Sequence, residues 1–155
     1  FGLSSRMRFD LTISHFFKDA FLNRKLKVFD KDTWRPYCHV RDFSRLISKV
    51  IEDRGTYDFC VFNAGGDKNN HTKEQIVNKI LSKLPNIQVD YNSNDVDPRN
   101  YKVDFSRVYN KFNFVPKYDL DYGIDELNES FKKNIFNFNS KNINKFGNYS
   151  LDHLL

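Results

Sequence analysis

Pro36 divides the stretch that most restricts this chain. Proline lacks a backbone N–H and clashes with the preceding turn, so a helix cannot run through residues 34–36. Beyond it, Phe43, Leu46, Ile47, Val50 and Ile51 recur at the spacing of one helical face, and Asp42 is placed to accept from the first free amides of that helix. The stretch reads as a short extended piece feeding an amphipathic helix. Arg35, held between Trp34 and Pro36 ahead of the boundary, is placed to offer a planar fork of donors to a phosphate.

The flanking sequence alternates between the two periodicities. Leu11, Ile13, Phe16, Phe17, Ala20 and Phe21 mark a helix over residues 10–22 with Asp10 as its cap, and residues 26–29 a short strand. Gly55 breaks the helix that begins at Phe43. Residues 57–63 are β-branched and aromatic enough for a buried strand, which Ala64-Gly-Gly-Asp67 ends in a turn. Thr72 and Gln75 form a capping box ahead of Ile76, Val77, Ile80, Leu81 and Leu84, and Pro85 stops that helix. A strand over 87–91, a polar loop, a short helix through about 111 and a last helix capped by Asp119 complete the order. This is an α/β pattern. A strand such as 57–63 must pair with a sheet, and the other strands are too few, so a neighbouring half is expected ahead of Phe1. Residues 1–136 form one expected unit. Residues 137–155, rich in Asn, Ser and Lys with Phe146, Tyr149 and Leu151 as sparse anchors, are expected to form a loosely packed or poorly ordered tail.

Charge narrows the function classes. Lys and Arg number 25 against 20 acidic residues, a formal +5, but the signs are interspersed, which argues against a nucleic-acid-binding stripe. The chain shows no apolar run of membrane-spanning length and no signal-peptide pattern, so a soluble cytoplasmic protein is expected. Cys38 and Cys60 fall in different elements, outside any Cys-x-x-Cys, and read as buried thiols rather than as a zinc site or disulfide. His15, His39, His71 and His153 lack metal-ligand spacing, Asp95 and Asp97 do not make a glycosidase pair, and no serine sits in a Gly-x-Ser-x-Gly elbow.

The motif order resembles the C-terminal portion of an extended short-chain dehydrogenase/reductase of the NAD-dependent nucleotide-sugar epimerase/dehydratase family. The matching pieces are Phe1-Gly2 with Arg6-Met-Arg-Phe-Asp-Leu11, then Leu26-Lys-Val-Phe29, then Arg35-Pro-Tyr-Cys-His-Val-Arg-Asp42 and Val61-Phe-Asn-Ala-Gly-Gly66. Asp97-Pro-Arg-Asn-Tyr-Lys-Val-Asp104 and Phe112-Asn-Phe-Val-Pro116 follow in the family's order. The resemblance implies the substrate subdomain plus the last Rossmann strand and helices. It also implies an N-terminal half that binds NAD or NADP and carries the Tyr-x-x-x-Lys catalytic pair. Neither that pair nor a Gly-x-Gly-x-x-Gly turn occurs in this chain, so no catalytic residue is assigned and this chain alone is expected to be inactive.

Carried over position by position, the resemblance makes Arg35 a diphosphate ligand, an assignment that the bidentate geometry of arginine also favours. Arg99 falls in the Asp-Pro-Arg loop where relatives place a second diphosphate arginine, although Tyr101 occupies the commoner position of that arginine. Tyr101 is itself a candidate to donate a hydroxyl, against the plainer reading of a packed ring. Lys27, Val28 and Phe29 match the strand whose backbone meets the nucleobase, against the reading of an ordinary strand with Phe29 in the core. Arg8, with Arg6 and His15, lies in the segment that lines the sugar pocket in relatives. His39 reads as a structural histidine and Asn63, Gly65 and Gly66 as a strand-to-loop turn, with Asn63 bonding backbone. The expected ligand is a nucleoside-diphosphate sugar and the expected partner the N-terminal half; a homodimer stays open. The rival reading is a non-catalytic binding or assembly module of the same shape.

Overall fold

The computed structural model describes residues 1–53, 55, 59–93, 99–136, 138 and 143–148. In chain order the elements are α1 (Thr12–Asn23), β1 (Lys25–Phe29), β2 (Trp34–Pro36), α2 (Val40–Glu52), β3 (Asn70–Thr72), α3 (Lys73–Lys83), β4 (Gln88–Asn92), α4 (Ser106–Phe112) and α5 (Leu120–Lys132), with single 3₁₀ turns at Asp67–Asn69 and Ile143–Phe146. β1 and β4 pair in parallel, Val28 opposite Tyr91, and β2 and β3 pair antiparallel, Arg35 opposite His71. A parallel pair needs a long crossover, which α2 and α3 supply between β1 and β4.

Three helices make the main core. α1, α3 and α5 pack on one another, burying Phe17, Ala20, Ile76, Ile80, Ile124 and Leu127, and the alternate strand residues Leu26 and Val28 join them. Phe9 sits at the centre of an aromatic group with Phe131, Phe136, Phe138 and Phe146, its ring edge-on to each at 5.1 to 5.7 Å. Phe138 and Phe146 come from the stretch expected as a tail, and the Phe9 N–H donates to the Phe146 carbonyl at 2.6 Å. Tyr149 and Leu151 lie outside the described residues. A smaller core joins Leu46 of α2 to Phe105, Val108, Phe112 and Phe114 around α4.

Local signals decide most boundaries. Thr72 and Gln75 exchange the two hydrogen bonds of a capping box at 3.1 Å each, and Asp119 accepts from the Tyr122 N–H at 2.9 Å to start α5. α1 differs from expectation: it begins at Thr12 after Leu11, without a side-chain cap, because the Asp10 carboxylate is committed to Arg8. α2 also begins earlier than expected. His39 caps it, Nδ1 accepting from the Arg41 N–H at 3.1 Å, while Asp42 lies inside the first turn, fully buried.

Most of the apolar stripe of α2 is exposed. Polar bonds tie the helix to the rest of the chain: the buried Asp42 bonds Arg45, and Lys49 Nζ donates to the Phe112 carbonyl at 3.1 Å, while Arg41, Lys49 and Glu52 are exposed residues. Leu46 alone of the apolar set is buried; Phe43, Ile47, Val50 and Ile51 are 39% to 77% exposed. The periodicity is as expected, but the stripe faces outward because the inward side is held by polar anchors. Of the buried strand expected over residues 57–63, the described part, 59–63, forms no strand. Tyr57 and Asp58 lie outside the described residues, and over 59–63 the backbone is irregular, with Phe59 fully exposed and no described strand beside it to accept a ladder. Cys60 is accordingly exposed, not buried, and both cysteines are free.

Candidate functional site

β2 and the segment after residue 98 meet over the start of α1. Arg35, on β2, and Arg99 line one hollow of about 750 Å³ together with Lys73 at the start of α3, Asp10 and Thr12 ahead of α1, and Tyr37 and Cys38 beyond β2. Phe43, the first residue of the outward stripe on α2, lies on the same wall. Asp97 and Pro98 of the expected Asp-Pro-Arg loop lie outside the described residues.

The two arginine segments are stitched together. The Trp34 N–H donates to Asn100 Oδ1 at 2.8 Å, the Tyr101 N–H donates to the Trp34 carbonyl at 3.4 Å, and Lys102 Nζ lies 3.8 Å from the centre of the Trp34 ring. Arg35 Nη1 donates to the Trp34 carbonyl at 2.7 Å, and the Tyr101 ring lies under its guanidinium with 5.2 Å between Cζ and centroid. One residue further, Val103 exchanges two hydrogen bonds with the Asn70 side chain on β3, at 2.9 and 3.0 Å.

Lys73 was not among the expected site residues. Its Nζ donates to the Phe29 carbonyl at 2.8 Å, which brings the end of β1 beside the hollow. Of the strand residues singled out, Val28 is buried in the core, while Lys27 and Phe29 project outward and Phe29 is not a core residue. Among the described residues β1 pairs on one edge alone, with β4. A second hollow of about 410 Å³ adjoins this end of the strand, lined by Asp30, Asp32, Tyr91, Asn92 and Asn100.

Other candidates are placed elsewhere. Arg8 does not line the hollow but grips Asp10 with two hydrogen bonds, at 2.9 and 2.6 Å. Those bonds, above all, hold the Asp10 carboxyl at about 2, so the acid in the hollow stays ionised. Arg6 donates to the Gly147 carbonyl and Asn148 Oδ1, and His15 lies 3.0 Å from Asp19. Burial first, then the charge of Asp42, pushes the Cys38 thiol up to about 11, so it is no thiolate nucleophile near neutrality. His39 is fully buried, its Nε2 3.1 Å from Glu126 Oε2, and acts as a structural residue between α2 and α5. Asn63 donates to the Asp104 carbonyl as expected, at 3.2 Å. The Gly66 N–H is taken by Asn69 Oδ1 at 2.8 Å, so this turn does not aim free amides at a phosphate. Among the described residues no three His, Cys, Asp or Glu side chains are grouped to hold a metal, and no helix is long and apolar enough to cross a membrane.

No family model matches the chain. Solved structures do. The chain superposes on a dTDP-glucose 4,6-dehydratase from Bacillus anthracis in complex with NAD, with a TM-score of 0.68 at 23% identity, over 86% of this chain and 43% of that one. It superposes on a UDP-glucuronic acid 4-epimerase from Bacillus cereus in complex with UDP-glucuronic acid and NAD, with a TM-score of 0.70 at 18% identity, over 81% of this chain and 41% of that one. The fold is that of the C-terminal part of an extended short-chain dehydrogenase/reductase. A UDP-glucose 4-epimerase from Thermotoga maritima with UDP-glucose shares this dehydrogenase/reductase fold, with a TM-score of 0.66 at 22% identity, over 81% and 40% of the two chains. The chain spans about two-fifths of the length of these enzymes.

Proposed function

We propose that this chain forms the sugar-nucleotide-binding side of a cytoplasmic NAD(P)-dependent nucleoside-diphosphate-sugar epimerase or dehydratase. The observation that carries the reading is the convergence of Arg35 and Arg99, from separate segments, on one hollow with Lys73 on its wall. Adjacent phosphates call for fixed, multidentate cations, and a hollow of that size holds a hexose beside them. In this reading Arg35 and Arg99 grip the diphosphate, and the backbone of Lys27, Val28 and Phe29 at the open edge of β1 meets the base. The fixed diphosphate presents the sugar carbon to a cofactor.

A bound NAD(P) would supply the reversible hydride-transfer chemistry at that carbon. The Gly65–Gly66 turn offers its phosphates no free Gly66 amide, since that N–H is spent on Asn69. In this reading the cofactor and the Tyr-x-x-x-Lys pair belong to a partner half. The outward stripe on α2 supports such a partner, because Phe43 begins the stripe and also lines the hollow, so a half seated there would close the site. The absence of the catalytic pair from the sequence equally suits a module that binds sugar nucleotides without turning them over. Turnover of a UDP-sugar with NAD(P) by the protein joined to its cofactor half separates the two.

Thermal shift against a panel of sugar nucleotides tests the shared claim. A UDP- or dTDP-sugar is expected to raise Tm, Arg35→Ala to abolish the rise, and NAD alone to give none. No shift with any sugar nucleotide, or one that Arg35→Ala leaves intact, contradicts it.

A further inference from the structure

Tyr101 does not line the hollow itself but meets Arg35, which does, through its ring. The ring lies beneath the Arg35 guanidinium, and its own backbone N–H is fastened to the Trp34 carbonyl that also receives Arg35 Nη1. A guanidinium donates along its edges and not through its faces, so a ring held near it by cation–π attraction restrains it without taking up the donors that a phosphate needs. We propose that Tyr101 is a positioning residue for Arg35, holding the fork in the plane from which it engages a diphosphate. The proposal rests on the diphosphate reading of the hollow. It assigns to Tyr101 a role exerted through Arg35, in place of direct contact with ligand. Asn100 and Lys102, bound to the backbone and ring of Trp34, keep the segment in register, so the anchoring that carries Arg99 to the hollow also orients Arg35.

Isothermal titration with UDP as probe separates ring from hydroxyl. Tyr101→Phe is expected to bind UDP within about twofold of wild type, and Tyr101→Leu about two- to fivefold more weakly, the range of an exposed cation–π contact. In an Arg35→Ala background the Tyr101→Leu loss is expected to vanish, because its effect passes through Arg35. Equal losses in Phe and Leu variants, or a Leu loss that persists without Arg35, overturn the proposal in favour of direct contact. A ligand-free readout keeps the two claims distinct. The Arg35 Nε–H resonance, identified by its absence in Arg35→Lys, should be shifted upfield by the ring in wild type and Tyr101→Phe and should move downfield in Tyr101→Leu. If wild type binds no UDP, the diphosphate reading fails and the resonance still decides whether Tyr101 holds Arg35; an unmoved resonance overturns the positioning role.

Discussion

The Asp42 carboxylate reaches from α2 to the loop before α5, where the Lys117 N–H lies 3.0 Å from one oxygen and 3.1 Å from the other. The Tyr118 N–H donates to the same group at 3.0 Å, and Arg45 completes its shell. A fully buried acid with these partners fixes the helix that follows β2, and with it the Arg35 strand. Asp42→Asn places an amide donor against other donors. We expect it to lower the unfolding free energy by about 2–3 kcal/mol, read from the urea midpoint at constant slope. A loss below about 0.5 kcal/mol would show that these amides find other acceptors.

His39 makes the fold sensitive to acid. Nδ1 must stay unprotonated to accept from Arg41, and Nε2 faces Glu126. Burial lowers its pKa below the ordinary 6.5, against the opposing pull of the Glu126 hydrogen bond. The folded value is depressed, so the unfolded chain takes up the proton first. Stability is therefore full above about 6.5 and falls as pH drops from there towards the folded value. Burial lowers His71 in the same way. We expect Tm to decline between pH 7.5 and 5.5 and to decline less steeply in His39→Asn, which can cap the helix without titrating. Identical slopes would contradict this role.

The α2 stripe gives a test of its own. Ile47→Lys with Ile51→Lys places charges where the described structure shows exposed apolar surface, so stability should change by no more than about 0.5 kcal/mol and binding of an apolar fluorescent dye should fall. A loss above about 2 kcal/mol would mean that the stripe is buried within this chain.

How much of this was legible in the sequence follows from how far each residue's partner lies. Thr72 and Gln75 are three apart, and their box, the start of α3 and the cap at Asp119 could be read directly. Asp42 read as a cap for its own helix because Lys117 and Tyr118, its actual partners, are distant in sequence. The period of α2 was legible; the direction its stripe faces was not, since that depends on what Asp42 and Lys49 bond. β3, with the polar sequence Asn-His-Thr, carried no strand signal and exists through pairing with β2. That Arg35 and Arg99 would share a hollow was an expectation of the resemblance, whereas Lys73 offered only a polar helix start.

The central claim is that the hollow between β2 and the 99–102 segment grips two phosphates. Titration of UDP and UMP into wild type, Arg35→Ala and Arg99→Ala tests it most directly. UDP is expected to bind at least about tenfold more tightly than UMP, with each substitution removing most of that preference, as charge-assisted hydrogen bonds of this kind require. Equal affinities for UDP and UMP, or a preference for UDP that survives both substitutions, would contradict it.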